Sequence, residues 1–207
     1  KKKFFYKEYA LNYAISQFSK PYLSIWNGIV MGGGIGLSIY GNVRIATEKS
    51  KFAMPETAIG FFPDVGGSFF LSRIKKNVGL YLGLTGQVIE VNDMIFLGLA
   101  THFQYSQNIN NLKSNYINSG SLPPSEKINK KSSKIIENLG FIEKTFQGDL
   151  YSIIKKLKKS KSEFAKKTFD LLTKRCPMSL VITVELLGRA KKLSLRKCLE
   201  MEFQLSQ

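Results

Sequence analysis

The 207-residue chain is long enough to bury a substantial core, and its 43% hydrophobic and 12% aromatic content excludes a disordered polymer. Thirty-one Lys and Arg against 15 Asp and Glu give a formal charge of +16. That balance fits either a solvated lysine surface or attraction to nucleic acid, anionic membranes or phosphate-bearing ligands. Two cysteines, Cys176 and Cys198, and one histidine, His102, exclude a disulfide framework and a Cys/His zinc site, so reduced buried thiols are expected.

Lys3–Ser19 has helical spacing, with Tyr6, Tyr9, Ala10, Tyr13, Ala14 and Phe18 predicted to share one broad face. Lys20-Pro21 ends it, because the residue before proline is pushed out of the helical region. Tyr22–Trp26 reads as a buried strand, followed by a glycine loop and a short helix over Ile35–Tyr40. The uncharged stretch from Tyr22 to Val43 is long enough to span a bilayer, but its six glycines and two asparagines break it into short runs, and a membrane span is rejected. Strands are predicted at Val43–Thr47 and Lys51–Ala53, and a turn at Met54-Pro-Glu-Thr57. Short helices follow over Ser68–Ile74, Asn77–Leu84 and Val91–Leu97, then a strand at Ala100–Phe103.

Beyond residue 104 the character changes. Residues 105–132 form a polar linker rich in Asn, Ser and Lys, and helices are predicted at Ser133–Leu139, Leu150–Leu157, Ser162–Lys174 and Ser179–Gln207. Pro177 separates the last two, with Ser179 as the cap. The expected organisation is an α/β core over 1–104 and a mainly helical region over 105–207. Lysines gather at Lys127–Lys134 and Lys155–Lys167. The chain opens on Lys1-Lys-Lys and ends within a helical pattern, so it reads as a fragment or a processed chain.

Two features carry chemistry. Gly32-Gly33-Gly34 places unhindered amides beside a helix start, where negative charge is favoured. Its spacing matches neither a dinucleotide fingerprint nor a P-loop, which leaves an oxyanion hole or close helix packing. Glu56 and Asp64 are acids in the apolar run Ala53-Met-Pro-Glu-Thr-Ala-Ile-Gly-Phe-Phe-Pro-Asp-Val-Gly-Gly67, a setting that shifts pKa values. His102 lacks a nucleophile motif and reads as structural; Met31 and Met54 read as pocket lining.

The motifs Asn27-Gly, Met31-Gly-Gly-Gly34, Phe52-Ala-Met-Pro-Glu-Thr-Ala-Ile-Gly60, Pro63-Asp-Val-Gly-Gly67, Leu82-Gly-Leu-Thr-Gly86 and Pro177-Met-Ser-Leu180 resemble the crotonase (enoyl-CoA hydratase/isomerase) superfamily. The resemblance covers essentially the whole chain. It implies a ββα spiral core, incomplete at its N-terminal side, with a helical C-terminal subdomain. Hydratases of that superfamily carry a glutamate where this chain has Gly36, and typically a non-acidic residue where it has Asp64. That exchange resembles the thioester-hydrolase branch, which acts in valine breakdown on a short branched β-hydroxyacyl-CoA.

By the same resemblance Gly33, beside Gly32, donates one oxyanion hydrogen bond, and Glu56 attacks the thioester or activates water. Asp64 handles the 3-hydroxyl or a proton, and Glu8 contacts substrate. The second oxyanion donor belongs to a loop upstream of this chain. An acyl-CoA is the implied partner, with no metal or redox cofactor, and the implied compartment is the mitochondrion, with the peroxisome as alternative. Two other readings stay open: a hydratase or isomerase, opposed by Gly36, and a non-catalytic RNA-associated subunit, motivated by the charge.

Overall fold

Leu23–Trp26 (β1) is a four-residue apolar strand of the kind that pairs in parallel, covered on both sides. In the computed structural model, which describes residues 2–128 and 133–207, β1 pairs in parallel with Val43–Ala46 (β3), Leu23 opposite Val43 and Trp26 opposite Ala46. His102–Phe103 (β5) extends that sheet in parallel beyond β3. A second parallel sheet joins Ile29–Met31 (β2) to Lys51–Ala53 (β4). Asn27-Gly28 carries the chain from one sheet to the other, the helix Gly33–Gly36 (α2) follows β2, and β3 and β4 then repeat the step. Each turn therefore lays one strand in each sheet and a helix after them, the ββα spiral.

Phe52 lies where these layers meet. It has no exposed surface, its ring centroid is 6.1 Å from that of Trp26 and 6.4 Å from that of Phe70, and its backbone bridges Ile89. β4 runs directly into a 3-10 turn, Glu56–Ile59, so the packing of Phe52 sets where that turn emerges.

Gly67–Leu71 (α3), Val78–Thr85 (α4) and Val91–Phe96 (α5) lie between β4 and β5. The preceding N-terminal helix is Lys2–Ser16 (α1). Its buried side meets the predicted face only at Tyr9 and Tyr13: Tyr9 and Asn12 are buried and Phe5, Glu8 and Tyr13 half-buried, while Tyr6, Ala10, Ala14 and Phe18 are exposed. The helix turns Glu8, Tyr9 and Asn12 inward because it packs on the glycine turn and the acid-bearing loop, where the Tyr9 hydroxyl finds the Asp64 carboxylate.

The stretch predicted as linker contains a helix, Ile109–Ser119 (α6), whose Ile109 and Leu112 pack beneath Ile45. Its many Asn and Ser residues hide the i, i+3 apolar pair. The helices Lys134–Glu137 (α7), Leu139–Thr145 (α8), Leu150–Lys159 (α9) and Glu163–Thr173 (α10) follow, and residues 129–132 of the lysine-rich cluster lie outside the described residues. The single helix expected over Ser179–Gln207 is two: Pro177–Ala190 (α11) and Leu195–Leu205 (α12). Pro177 begins α11 at its first position, where a missing N–H costs nothing, and Ser179 is buried within it. Ser194 caps α12 by accepting from the Lys197 N–H at 3.3 Å. The helices are tied to the spiral by Arg175, whose Nε and Nη2 donate to the Thr85 carbonyl at 2.9 and 2.6 Å. Both cysteines are free; Cys198 is buried, whereas Cys176, at the start of α11, is half-buried. Among the described residues no helix is long and apolar enough to cross a membrane. His102 sits half-buried in β5 with Nδ1 2.9 Å from Thr101 Oγ1.

Phe52→Ala is expected to cost about 3–5 kcal/mol of unfolding free energy, the usual penalty for emptying a buried phenylalanine site, measured by urea denaturation.

Candidate active site

The glycine triplet is itself the beginning of a helix rather than a loop ahead of one. Gly32 is the N-cap of α2 with φ 51 and ψ −126, a backbone open essentially to glycine alone. Gly33 is therefore the first helical residue, and amides at this position have no partner within the helix. Its N–H is free to meet an oxyanion.

Three carboxylates border this turn. A Cβ added at Gly32 would lie 3.6 Å from Glu56 Oε1, and one added at Gly33 would lie 3.0 Å from Glu8 Oε1. Glu56 is buried at the start of the 3-10 turn, and its Oε2 has no hydrogen-bond partner. Burial, with the negative charges of Asp64 and Glu202 added, raises its pKa to about 8 against an opposing backbone hydrogen bond. Asp64 is also buried and its pKa is raised by burial, partly offset by the Tyr9 hydroxyl, which donates to Asp64 Oδ2 at 2.8 Å. Glu8 is raised by burial and then by Asp64. Glu8, Glu56, Asp64, Gly32 and Gly33 thus meet in one place, brought there by α1, the 3-10 turn, the 64–67 turn and α2.

Gly36 lies where α2 meets the turn that carries Asp64. A Cβ here would stand 2.6 Å from Val65 Cβ and 2.9 Å from Asn12 Nδ2. The space a side chain would occupy is filled by the acid-bearing turn itself. Val65 adopts φ 52, a left-handed backbone that costs a β-branched residue on the order of 1–3 kcal/mol. Asn12 is wholly buried beside it with both polar side-chain atoms unpartnered.

Three contributors were not assigned from sequence. Tyr9 read as part of an apolar face, although it adjoins Glu8. Tyr40 donates from its hydroxyl to the Val65 carbonyl at 3.0 Å. Glu202 accepts from the Gly66 and Ser68 N–H groups at 2.7 and 3.0 Å and from the Ser68 hydroxyl. The available signal was an acid at the core-facing spacing of Cys198, Leu199 and Glu202. Met54 is buried against Gly67, and Met31 is half-buried at the end of β2. Among the described residues no three His, Cys, Asp or Glu side chains are grouped to hold a metal ion.

A family model described as enoyl-CoA hydratase/isomerase matches residues 1–207. The chain belongs to the enoyl-CoA hydratase/isomerase family. Within this family it is 43% identical over 217 residues to "3-hydroxyisobutyryl-CoA hydrolase, mitochondrial" of Dictyostelium discoideum, covering 99% of this chain and 57% of that protein. The human protein of the same name is 39% identical over 219 residues, with 99% and 56% covered. The chain thus spans little more than half the length of these relatives. Among solved structures, a carnitinyl-CoA dehydratase from Mycobacterium thermoresistibile superposes with TM-score 0.90 at 37% identity, covering 99% of this chain and 62% of that one. An enoyl-CoA hydratase from Rhodobacter sphaeroides 2.4.1 gives 0.92 at 31% identity, with 98% and 60% covered.

Two outcomes follow from this packing. Gly36→Ala is expected to destabilise by about 1–3 kcal/mol through overpacking against Val65, read by chemical denaturation. Folded Glu56 holds its proton to a higher pH than an unfolded glutamate does. Its contribution to stability is therefore fully present below about pH 4.5 and is lost as pH rises to about 8. The unfolding free energy of the wild type relative to Glu56→Gln should fall across that window.

Proposed function

We propose that the protein is a CoA-thioester hydrolase that converts 3-hydroxyisobutyryl-CoA and water to 3-hydroxyisobutyrate and CoA. The carrying observation is the filled space at Gly36. With no room there for a hydratase-type glutamate, Glu56 is paired instead with Asp64. The names of the relatives at about 40% identity support the substrate and a mitochondrial setting.

In this reading the thioester carbonyl oxygen lies on the Gly33 N–H, aimed where negative charge develops; one such donor is typically worth about 3 kcal/mol. Glu56, with one oxygen unpartnered, takes a proton from water as hydroxide adds to the carbonyl carbon, or adds to that carbon itself to give an anhydride that water then opens. The C–S bond breaks as the tetrahedral oxyanion collapses, and CoA leaves as a thiolate that takes up the proton. Asp64 faces the acyl group's 3-hydroxyl with one oxygen while Tyr9 holds the other, and Glu8 borders the same space from α1. None of these steps calls for a metal or a redox cofactor. Surface lysines offer charge to the phosphates of CoA.

Similarity to the carnitinyl-CoA dehydratase and enoyl-CoA hydratase structures favours a second reading, addition of water to an enoyl-CoA. Free thiol released from 3-hydroxyisobutyryl-CoA by the full-length protein, with no hydration of crotonyl-CoA, distinguishes the two; hydration without thiol release would reverse the assignment.

Glu56→Gln should lower kcat by about 10²–10⁴-fold, the range for loss of a general base, with the fold intact by circular dichroism. Because ionised Glu56 is the working form, kcat/KM should rise with pH and level off above about 8. A pH-independent rate between 6 and 9 would remove Glu56 from that role.

A further inference from the structure

The 64–68 turn holds Asp64 through a backbone that its own sequence does not favour. Val65 is at φ 52 and buried, and neither neighbour relieves it. The turn closes on itself where the Gly67 N–H donates to the Asp64 carbonyl at 2.6 Å, and distant segments restrain it further. Tyr9 of α1 holds the Asp64 carboxylate, Tyr40 holds the Val65 carbonyl, and Glu202 of α12 holds the two amides that follow.

Glu202 is the unusual member. It has no exposed surface, and the charge set around it is negative, from Asp64. A carboxylate without a cation is expensive in a protein interior unless its oxygens are saturated with donors. Here the donors are supplied by the turn: Oε2 takes the Gly66 N–H at 2.7 Å, and Oε1 takes the Ser68 N–H at 3.0 Å together with the Ser68 hydroxyl. Burial still raises the Glu202 pKa to about 8, with the Ser68 and Gly66 donors opposing the rise, and the three bonds hold the turn to the side chain by their geometry. They grip both sides of Gly67 and leave the turn one way to run.

We propose that Glu202 is a positioning residue for catalysis: by clamping the Gly66–Ser68 backbone it holds Val65 in its left-handed conformation and aims Asp64 at the substrate. This rests on the reading of Asp64 as a site residue. α12 also meets α1, with the Phe203 and Tyr6 rings 6.0 Å apart, so one helix braces both the turn and the segment that brings Tyr9 to it.

The test uses the full-length protein with Glu202→Gln, Asp64→Asn and the double variant. In Glu202→Gln the side-chain amide turns an NH2 toward one of the two backbone donors, so the clamp is half lost. We expect kcat on 3-hydroxyisobutyryl-CoA to fall about 10–100-fold with KM changed less than about 3-fold, as for a small misplacement of a catalytic group. In the Asp64→Asn background the same change should cost less than about 3-fold more, because the group it positions is already gone. Hydrogen exchange at the Gly66 and Ser68 amides should quicken by about 10-fold or more, reported independently of turnover. An unchanged kcat, or an equal loss in the Asp64→Asn background, would overturn the proposal. Should Glu202→Gln fail to fold, Ser68→Ala removes a single donor, and a kcat loss that persists undiminished in Asp64→Asn would overturn it equally. If the wild type releases no thiol, the hydrolase reading falls; the clamp then stands or falls on whether amide exchange quickens.

Discussion

The contact between Gly36 and Val65 is the constraint on which the site depends. α2 has to begin on the glycine turn for the Gly33 amide to be free, and the 64–68 turn has to lie against that same helix for Asp64 to reach the space in front of it. The first rests on the left-handed backbone at Gly32, and the second on position 36 having no side chain. Close packing leaves no slack: interiors are filled to crystal-like density, so a group placed here would push the turn away rather than be absorbed. The same contact brings the Asp64-bearing turn against α2.

Electrostatics at the site run against those of the chain. A protein with formal charge +16 gathers Glu8, Glu56, Asp64 and Glu202 in one region, and the charges raising Glu56 are those of its neighbouring acids. Burial sets the scale. A carboxylate removed from water resists ionising, so burial raises both Glu56 and Glu202 to about 8, but Glu56 keeps one oxygen unpartnered whereas Asp64 keeps a phenolic donor and Glu202 three donors of its own. Similar side chains are thereby given different tasks by the partners each can reach.

Legibility followed the range of the forces involved. The strands at 23–26, 43–46 and 51–53 were readable within a residue or two, because short apolar runs between turn residues are a local signal. So was the helix over 150–159, where Asp149 caps the first turn and lysines end the last. α6 was missed because its two buried residues are outnumbered by asparagines. The face of α1 was misjudged in part because periodicity treats tyrosine as apolar and glutamate as exposed, while this helix turns Glu8 and the Tyr9 hydroxyl toward the acids of the site. Local rules failed where function is concentrated, as expected when packing and chemistry compete for one surface.

By itself the sequence determined most of the strands and helices, the acids and the glycine at position 36, since each is written in neighbouring residues: glycines that allow a turn, a proline that starts a helix, a carboxylate in an apolar run. Ile29–Met31 and α6 were not among them. Only the tertiary structure decided what those residues do to one another. Tyr9 and Asp64 are 55 positions apart, and Glu202 lies 136 positions from Gly66. No periodicity connects such distances. The left-handed backbone at Val65 is likewise invisible in a β-branched residue's own preferences; it sits in a turn closed by the Gly67–Asp64 bond and contacted by α1, α2 and α12 from different sides.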